Sequence, residues 1–144
     1  FHFYLQQKAQ CSWQLIQKTI KDNQFPEVTF IWKYEDPRDS FSTNHSSKLK
    51  NVVISNWIPQ VDLLGDANTV VFITHGGMAS VQEAARHGIT VICVTIFGEQ
   101  SRNGGMIQFN GLAIVYGKFE LHNGLKLADA IREVLENRKY AFHV

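Results

Sequence analysis

One five-residue run constrains the fold of this chain more than any other stretch. Val70-Val71-Phe72-Ile73-Thr74 is rich in β-branched residues and too short for a helix, so it reads as a strand buried on both faces. His75-Gly76-Gly77 follows without a gap, and then a helical segment over residues 78–87 that Gly88 closes. A strand feeding a glycine turn and a helix leaves the first N–H groups of that helix without intrahelical partners and with positive partial charge. Glycine also lets a ligand approach the backbone closely, so the arrangement suits a phosphate. Alone, a His-Gly-Gly turn is more often a tight turn with no ligand. The flanking residues decide.

Ser80 and Glu83 stand at i and i+3 and share a face in the first turns of that helix. Trp57 and Gln60 come just after another apolar run, Val52-Val53-Ile54. Glu99 and Gln100 follow a third, residues 91–97. In a parallel α/β sheet the C-terminal ends of the strands line one edge, and ligands bind there. An aromatic plane, an anion site, a carboxylate and an acid–amide pair along a single edge suit a nucleotide joined to a polyhydroxylated group.

The rest of the chain agrees with an α/β class built on a mostly parallel sheet. Ser12 is placed to cap a helix over residues 12–22, with Trp13, Ile16, Gln17 and Ile20 on one face. Phe25-Pro26 breaks it, residues 28–34 alternate as a strand, and residues 35–50 are a polar surface loop containing the acceptor sequon Asn44-His45-Ser46. A helix over 101–110, a stop at Gly111, a strand over 112–116 and an amphipathic helix over 125–140 complete the alternation. A length of 144 residues allows one domain with a real core. At 44% hydrophobic residues and a net charge of +1, the chain is neither a disordered polymer nor a nucleic-acid-binding surface. No apolar run approaches the roughly 20 residues that span a bilayer, and no charged leader precedes a short apolar core. Cys11 and Cys93 fit no metal or redox spacing, so buried, idle thiols are expected and no metal site.

Trp57-Ile58-Pro59-Gln60, Phe72-Ile73-Thr74-His75-Gly76-Gly77, Glu83-Ala84, His87-Gly88 and Glu99-Gln100, at these spacings, resemble the signature of the UDP-glycosyltransferases, and the animal UDP-glucuronosyltransferase branch in particular. The likeness extends more weakly from Phe30-Ile31-Trp32-Lys33-Tyr34 to about Tyr140. The resemblance implies a protein of GT-B type, in which two Rossmann-like domains face each other across a cleft. Residues 1–144 would belong to the C-terminal, UDP-sugar-binding one. Trp57 would stack on uracil, Gln60 would bond the nucleoside, and Glu83 would accept from the ribose hydroxyls. His75, Gly76, Gly77 and Ser80 would hold the diphosphate, and Glu99 with Gln100 would bind sugar hydroxyls. The chemistry implied is transfer of a hexosyl group, glucuronic acid or glucose, to a small lipophilic acceptor with inversion. The UDP-sugar is a co-substrate, so no cofactor is implied. In the family the general base is a histidine of the N-terminal domain, so no catalytic residue is expected in this chain. That domain, and an assembly of several copies, are the partners to consider. The branch implies a location on the lumenal side of the endoplasmic reticulum membrane.

The chain departs from the family pattern at several positions. Ala79 stands where asparagine is frequent, Glu99 where aspartate is commoner, Thr90 and Thr95 where proline is common, and Lys33 where many relatives have arginine. Asp66 replaces a frequent histidine and is expected to add a negative charge near the nucleotide edge. Residues 1–5 do not resemble the strand and Gly-Ser turn that family members carry before the region matching Ser12. The expectation is therefore an incomplete domain: a sheet without its central strand, poorly stable, with the acceptor domain and the membrane anchor absent and no turnover by the 144 residues alone. The alternative function is a truncated or non-catalytic relative that binds nucleotide or a partner chain.

Overall fold

The apolar runs become the strands of one sheet. A computed structural model describes residues 2–6, 25–34, 50–117, 120 and 124–140. The strands are β1 (His2–Gln6), β2 (Thr29–Lys33), β3 (Val52–Ser55), β4 (Thr69–Thr74), β5 (Thr90–Thr95) and β6 (Ala113–Gly117). They pair in the order β3-β2-β1-β4-β5-β6, and every pairing is parallel. This is the doubly wound order of nucleotide-binding Rossmann sheets, in which the strand sequence reverses between β1 and β4.

The expectation of a missing central strand is wrong. His2–Gln6 runs between β2 and β4, with Tyr4 in register with Ile31 on one side and Phe72 on the other. Without a strand there, β2 and β4 would each expose a row of unpaired N–H and C=O groups inside the sheet, a large unmet hydrogen-bonding demand. A shift in register between His2 and Phe3 adapts the strand to β4. A family motif is a pattern of side chains, whereas backbone pairing between strands tolerates many sequences.

Four α-helices are described: α1 (Gln60–Leu64), α2 (Met78–Arg86), α3 (Gly98–Phe109) and α4 (Gly124–Glu136), with a 3₁₀ turn at Arg138–Tyr140. Helices cover both faces. On one, Ala128, Ile131 and Val134 of α4 pack with Phe30, Trp32, Val52, Val71, Ile73, Ile92 and Ile114 from the strands. On the other, Leu64, Val81, Ala84 and Ile107 from α1, α2 and α3 pack with Phe72, Val91, Cys93 and Ala113. The alternation of Val71, Phe72 and Ile73 between the two cores is the period-2 pattern of a strand buried on both sides. Trp32, Phe30 and Phe72 are among the largest fully buried side chains, each contributing on the order of 2–3 kcal/mol of apolar transfer free energy.

The sequence misses α1 entirely, and α3 begins three residues before its expected start. The last helix ends at Glu136, where the 3₁₀ turn takes over. Thr90 Oγ1 at the start of β5 then donates to the Tyr140 carbonyl over 2.7 Å, tying the turn to the N-terminal edge of the sheet. Asp66 lies on that same far edge, three residues before β4 begins. Its Oδ1 accepts from the Asn68 backbone N–H (2.7 Å) and side-chain amide (3.0 Å). The expected extra charge near the nucleotide edge is therefore not there, because β4 runs the length of the sheet between Asp66 and the glycine turn. The helix expected over residues 12–22, Cys11 and the sequon at Asn44 lie outside the described residues.

Candidate functional site

Thr74 ends β4 beside the reversal point, and the chain turns at His75-Gly76-Gly77 into α2. Gly76 has φ +86°, a region that an L side chain enters only at a cost. A Cβ there would also stand 3.2 Å from the Gln100 carbonyl oxygen and 3.5 Å from Cys93 Sγ. Gly77 is the N-cap of α2 in extended backbone, and no side chain caps the helix. A Cβ on Gly77 would meet His75 Nε2 at 2.9 Å, closer than real Cβ contacts come. Gly76 is thus required by its backbone and by close approach, whereas Gly77 meets only the far end of a side chain, and the first N–H groups of α2 are left for something other than a capping side chain. Ala79, where an amide was to be expected, is exposed beside them.

Gln60, Ser80 and Glu83 join across elements. Gln60 opens α1, and its Nε2 donates to Glu83 Oε2 on α2 over 2.6 Å and reaches Ser80 Oγ at 3.5 Å. The carboxylate can only accept, so the amide must turn its N–H groups towards it. Ser80 is buried, while Gln60 and Glu83 are half-buried. The expected shared face of Ser80 and Glu83 is present, and Gln60 bridges it. Trp57 is 70% exposed, an unusual state for the largest side chain. Its backbone is held by Ser55, whose Oγ donates to the Trp57 carbonyl (2.6 Å) and accepts from the Trp57 N–H (3.3 Å). Ser55 went unnoticed in the sequence, since a lone serine at a strand end carries no motif.

On the far side of the turn, α3 starts at Gly98 because Gln100 caps it. Its Oε1 accepts from the backbone N–H of Ile96 (2.8 Å) and of Phe97 (3.1 Å), and the residue is buried. Its carbonyl oxygen is thus spent on the backbone, leaving its amide N–H groups as what it can offer a ligand. Glu99 is exposed in the same first turn. Asn103, one turn on, is buried and donates from Nδ2 to the Gly76 carbonyl over 3.1 Å. Gly104 lets the helix lie close, since a Cβ there would stand 3.1 Å from Val115 Cγ2 and 3.4 Å from Cys93 Cβ. Starting the helix at Gly98 would have put Gln100 and Asn103 at i and i+3 on one face, which is the signal the sequence reading missed. Cys93 lies beneath the turn, where burial pushes its thiol up to about 12, far from a reactive thiolate.

The geometry therefore brings Gln60, Ser80 and Glu83 into direct contact, sets Gly76 against Gln100, and sets Gly77 against the imidazole of His75. Trp57 and Glu99 are exposed on the same strand-end edge. Together, a doubly wound parallel sheet and a glycine turn at its reversal point, opening a helix that no side chain caps, define an α/β domain of Rossmann type, whose strand-end edge is where such folds take their ligands. Residues 17–144 match the family model described as UDP-glucoronosyl and UDP-glucosyl transferase, and the chain belongs to that family. It is 40% identical over 110 residues to UDP-glucuronosyltransferase 3A1 of Xenopus laevis and 36% identical over 110 residues to UDP-glucuronosyltransferase 2A3 of Pongo abelii. Each alignment covers 76% of this chain and 20% of the relative, so the chain spans about a fifth of the length of these proteins. A crystal structure described as the glycotransferase of kitacinnamycin superposes with a TM-score of 0.81, covering 97% of this chain and 36% of that one. At 18% identity that likeness is one of fold, the parallel α/β fold of a GT-B glycosyltransferase.

Proposed function

We propose that this chain is the donor-binding part of a UDP-glycosyltransferase that passes a hexosyl group, glucuronic acid or glucose, from a UDP-sugar to a small lipophilic acceptor with inversion. The observation that carries the reading is the row along one sheet edge: exposed Trp57, the Gln60–Glu83 pair, and the Gly76-Gly77 turn at the uncapped end of α2. Trp57 offers uracil a stacking plane, a contact worth about 1–3 kcal/mol. Glu83, oriented by Gln60, accepts from the ribose hydroxyls, with about 1.5–3 kcal/mol for a bond to a charged group. The N–H groups of the turn and of α2, with His75 and Ser80, receive the diphosphate and stabilise the charge that builds on it as the sugar leaves. The sugar meets Glu99 and the amide of Gln100.

The UDP-sugar is consumed as a co-substrate, and the reaction needs no cofactor. His75 adjoins the diphosphate turn, and by resemblance to the family the base that deprotonates the acceptor is a histidine of an N-terminal domain of the same protein. Residues 1–144 alone then bind donor without turning it over. The animal UDP-glucuronosyltransferase branch that the sequence resembles supports a location of the parent protein at the endoplasmic reticulum membrane, with its catalytic part on the lumenal side. Among the described residues no helix is long and apolar enough to cross a membrane. Calorimetric titration with UDP and with ADP tests the reading. A preference for UDP of at least about tenfold is expected, since adenine lacks the edge that a uracil site reads. Equal affinities would sink it.

A further inference from the structure

We propose that Asn103 is a positioning residue for the donor diphosphate, acting through the peptide that joins Gly76 to Gly77. The proposal rests on the nucleotide reading of the glycine turn. Asn103 is 8% exposed, and its Nδ2 donates to the Gly76 carbonyl across 27 residues of sequence. In a planar trans peptide, C=O and N–H point in opposite directions, and no peptide in the described chain is cis. Drawing the Gly76 oxygen inward to a buried amide therefore turns the Gly77 N–H outward, towards the edge where the anion sits. Gly76 needs such a restraint. At φ +86° a glycine has access to several conformations of similar energy, and nothing in its own side chain selects one. The donor reaches it because Gly104 allows α3 to press onto Val115 and Cys93. Asn103 thus links the helix whose first turn carries Glu99 and Gln100 to the turn that meets the diphosphate, so that sugar and phosphate sites move as one body.

The test compares UDP with uridine, which shares the nucleoside and lacks the anion. In the full chain, Asn103→Ala is expected to weaken UDP binding about tenfold, the loss of one well-aimed bond to a charged group, while uridine affinity stays within about twofold. Asn103→Asp, which sets an acceptor against the Gly76 oxygen, is expected to fall below the alanine variant. A purely structural residue would lower both ligands together. An unchanged UDP-to-uridine ratio in Asn103→Ala overturns the proposal, and so does a parallel loss of both. Wild-type protein that binds neither ligand overturns the nucleotide reading itself. Should the variants not fold, NMR of the wild type decides. The Gly77 N–H and the Asn103 side-chain amide should both shift with UDP and not with uridine, and still resonances overturn the proposal.

Discussion

Two adjacent glycines should respond to alanine in opposite ways, and the contrast separates site from scaffold. At Gly76 the added Cβ enters φ +86°, which costs about 1–2 kcal/mol for an L residue. It also stands 3.2 Å from a backbone oxygen, that of Gln100, which cannot swing aside. The restriction of the unfolded chain returns about 0.4–1 kcal/mol. Gly76→Ala is therefore expected to destabilise by about 1–2 kcal/mol, lowering Tm by about 3–7 °C in a domain of this length. At Gly77 the backbone is extended (φ −61°, ψ 140°), so alanine enters without strain. The unfolded-state gain there is offset by the poorer N-cap, leaving Tm within a degree or two. The added Cβ instead stands 2.9 Å from His75 Nε2, at the far end of a side chain rather than on the backbone, and the imidazole must turn away. Gly77→Ala should then keep its melt and bind UDP about tenfold more weakly, the scale of one misplaced bond to a charged ligand. Circular dichroism melts beside calorimetric UDP titrations measure both. Gly77→Ala with wild-type affinity, or with a melt as low as that of Gly76→Ala, would refute the reasoning.

Trp57→Ala and Glu83→Ala should each weaken UDP binding by about 1–3 kcal/mol with little change in the apo melt, because Trp57 is exposed and Gln60 can rehydrate once its partner is gone; an unfolded variant in either case would mark a residue of the core. Stability should also fall in alkali through Cys93. Below pH 9 its thiol is protonated in both states, whereas between 9.0 and about 12 only the unfolded chain ionises, so the raised folded value loses stability as pH rises. Urea melts at pH 8 and 10 should show wild type losing about 1.4 kcal/mol more than Cys93→Ala over that interval, and parallel losses would place the thiol in contact with solvent.

The sequence alone determined what local chemistry can determine. A β-branched run, a glycine turn and a helix closed by Gly88 specify one another within 20 residues, and the i, i+3 spacing of Ser80 and Glu83 already puts them on one face. The strand ends just before Trp57 and Glu99 were legible for the same reason, whereas the short helix that Gln60 opens was not. Tertiary structure decided what depends on partners distant in the chain. Residues 2–6 are a central strand because β2 and β4 leave a gap that only a third backbone can satisfy, a demand invisible in those residues themselves. Asp66 reads as a site charge until the direction of β4 puts it at the opposite end of the sheet. Asn103 becomes significant only when α3, seated by Gly104, brings its amide to a carbonyl 27 residues away. Periodicity and turn chemistry act between neighbours in sequence, whereas hydrogen-bond satisfaction and close packing act between neighbours in space.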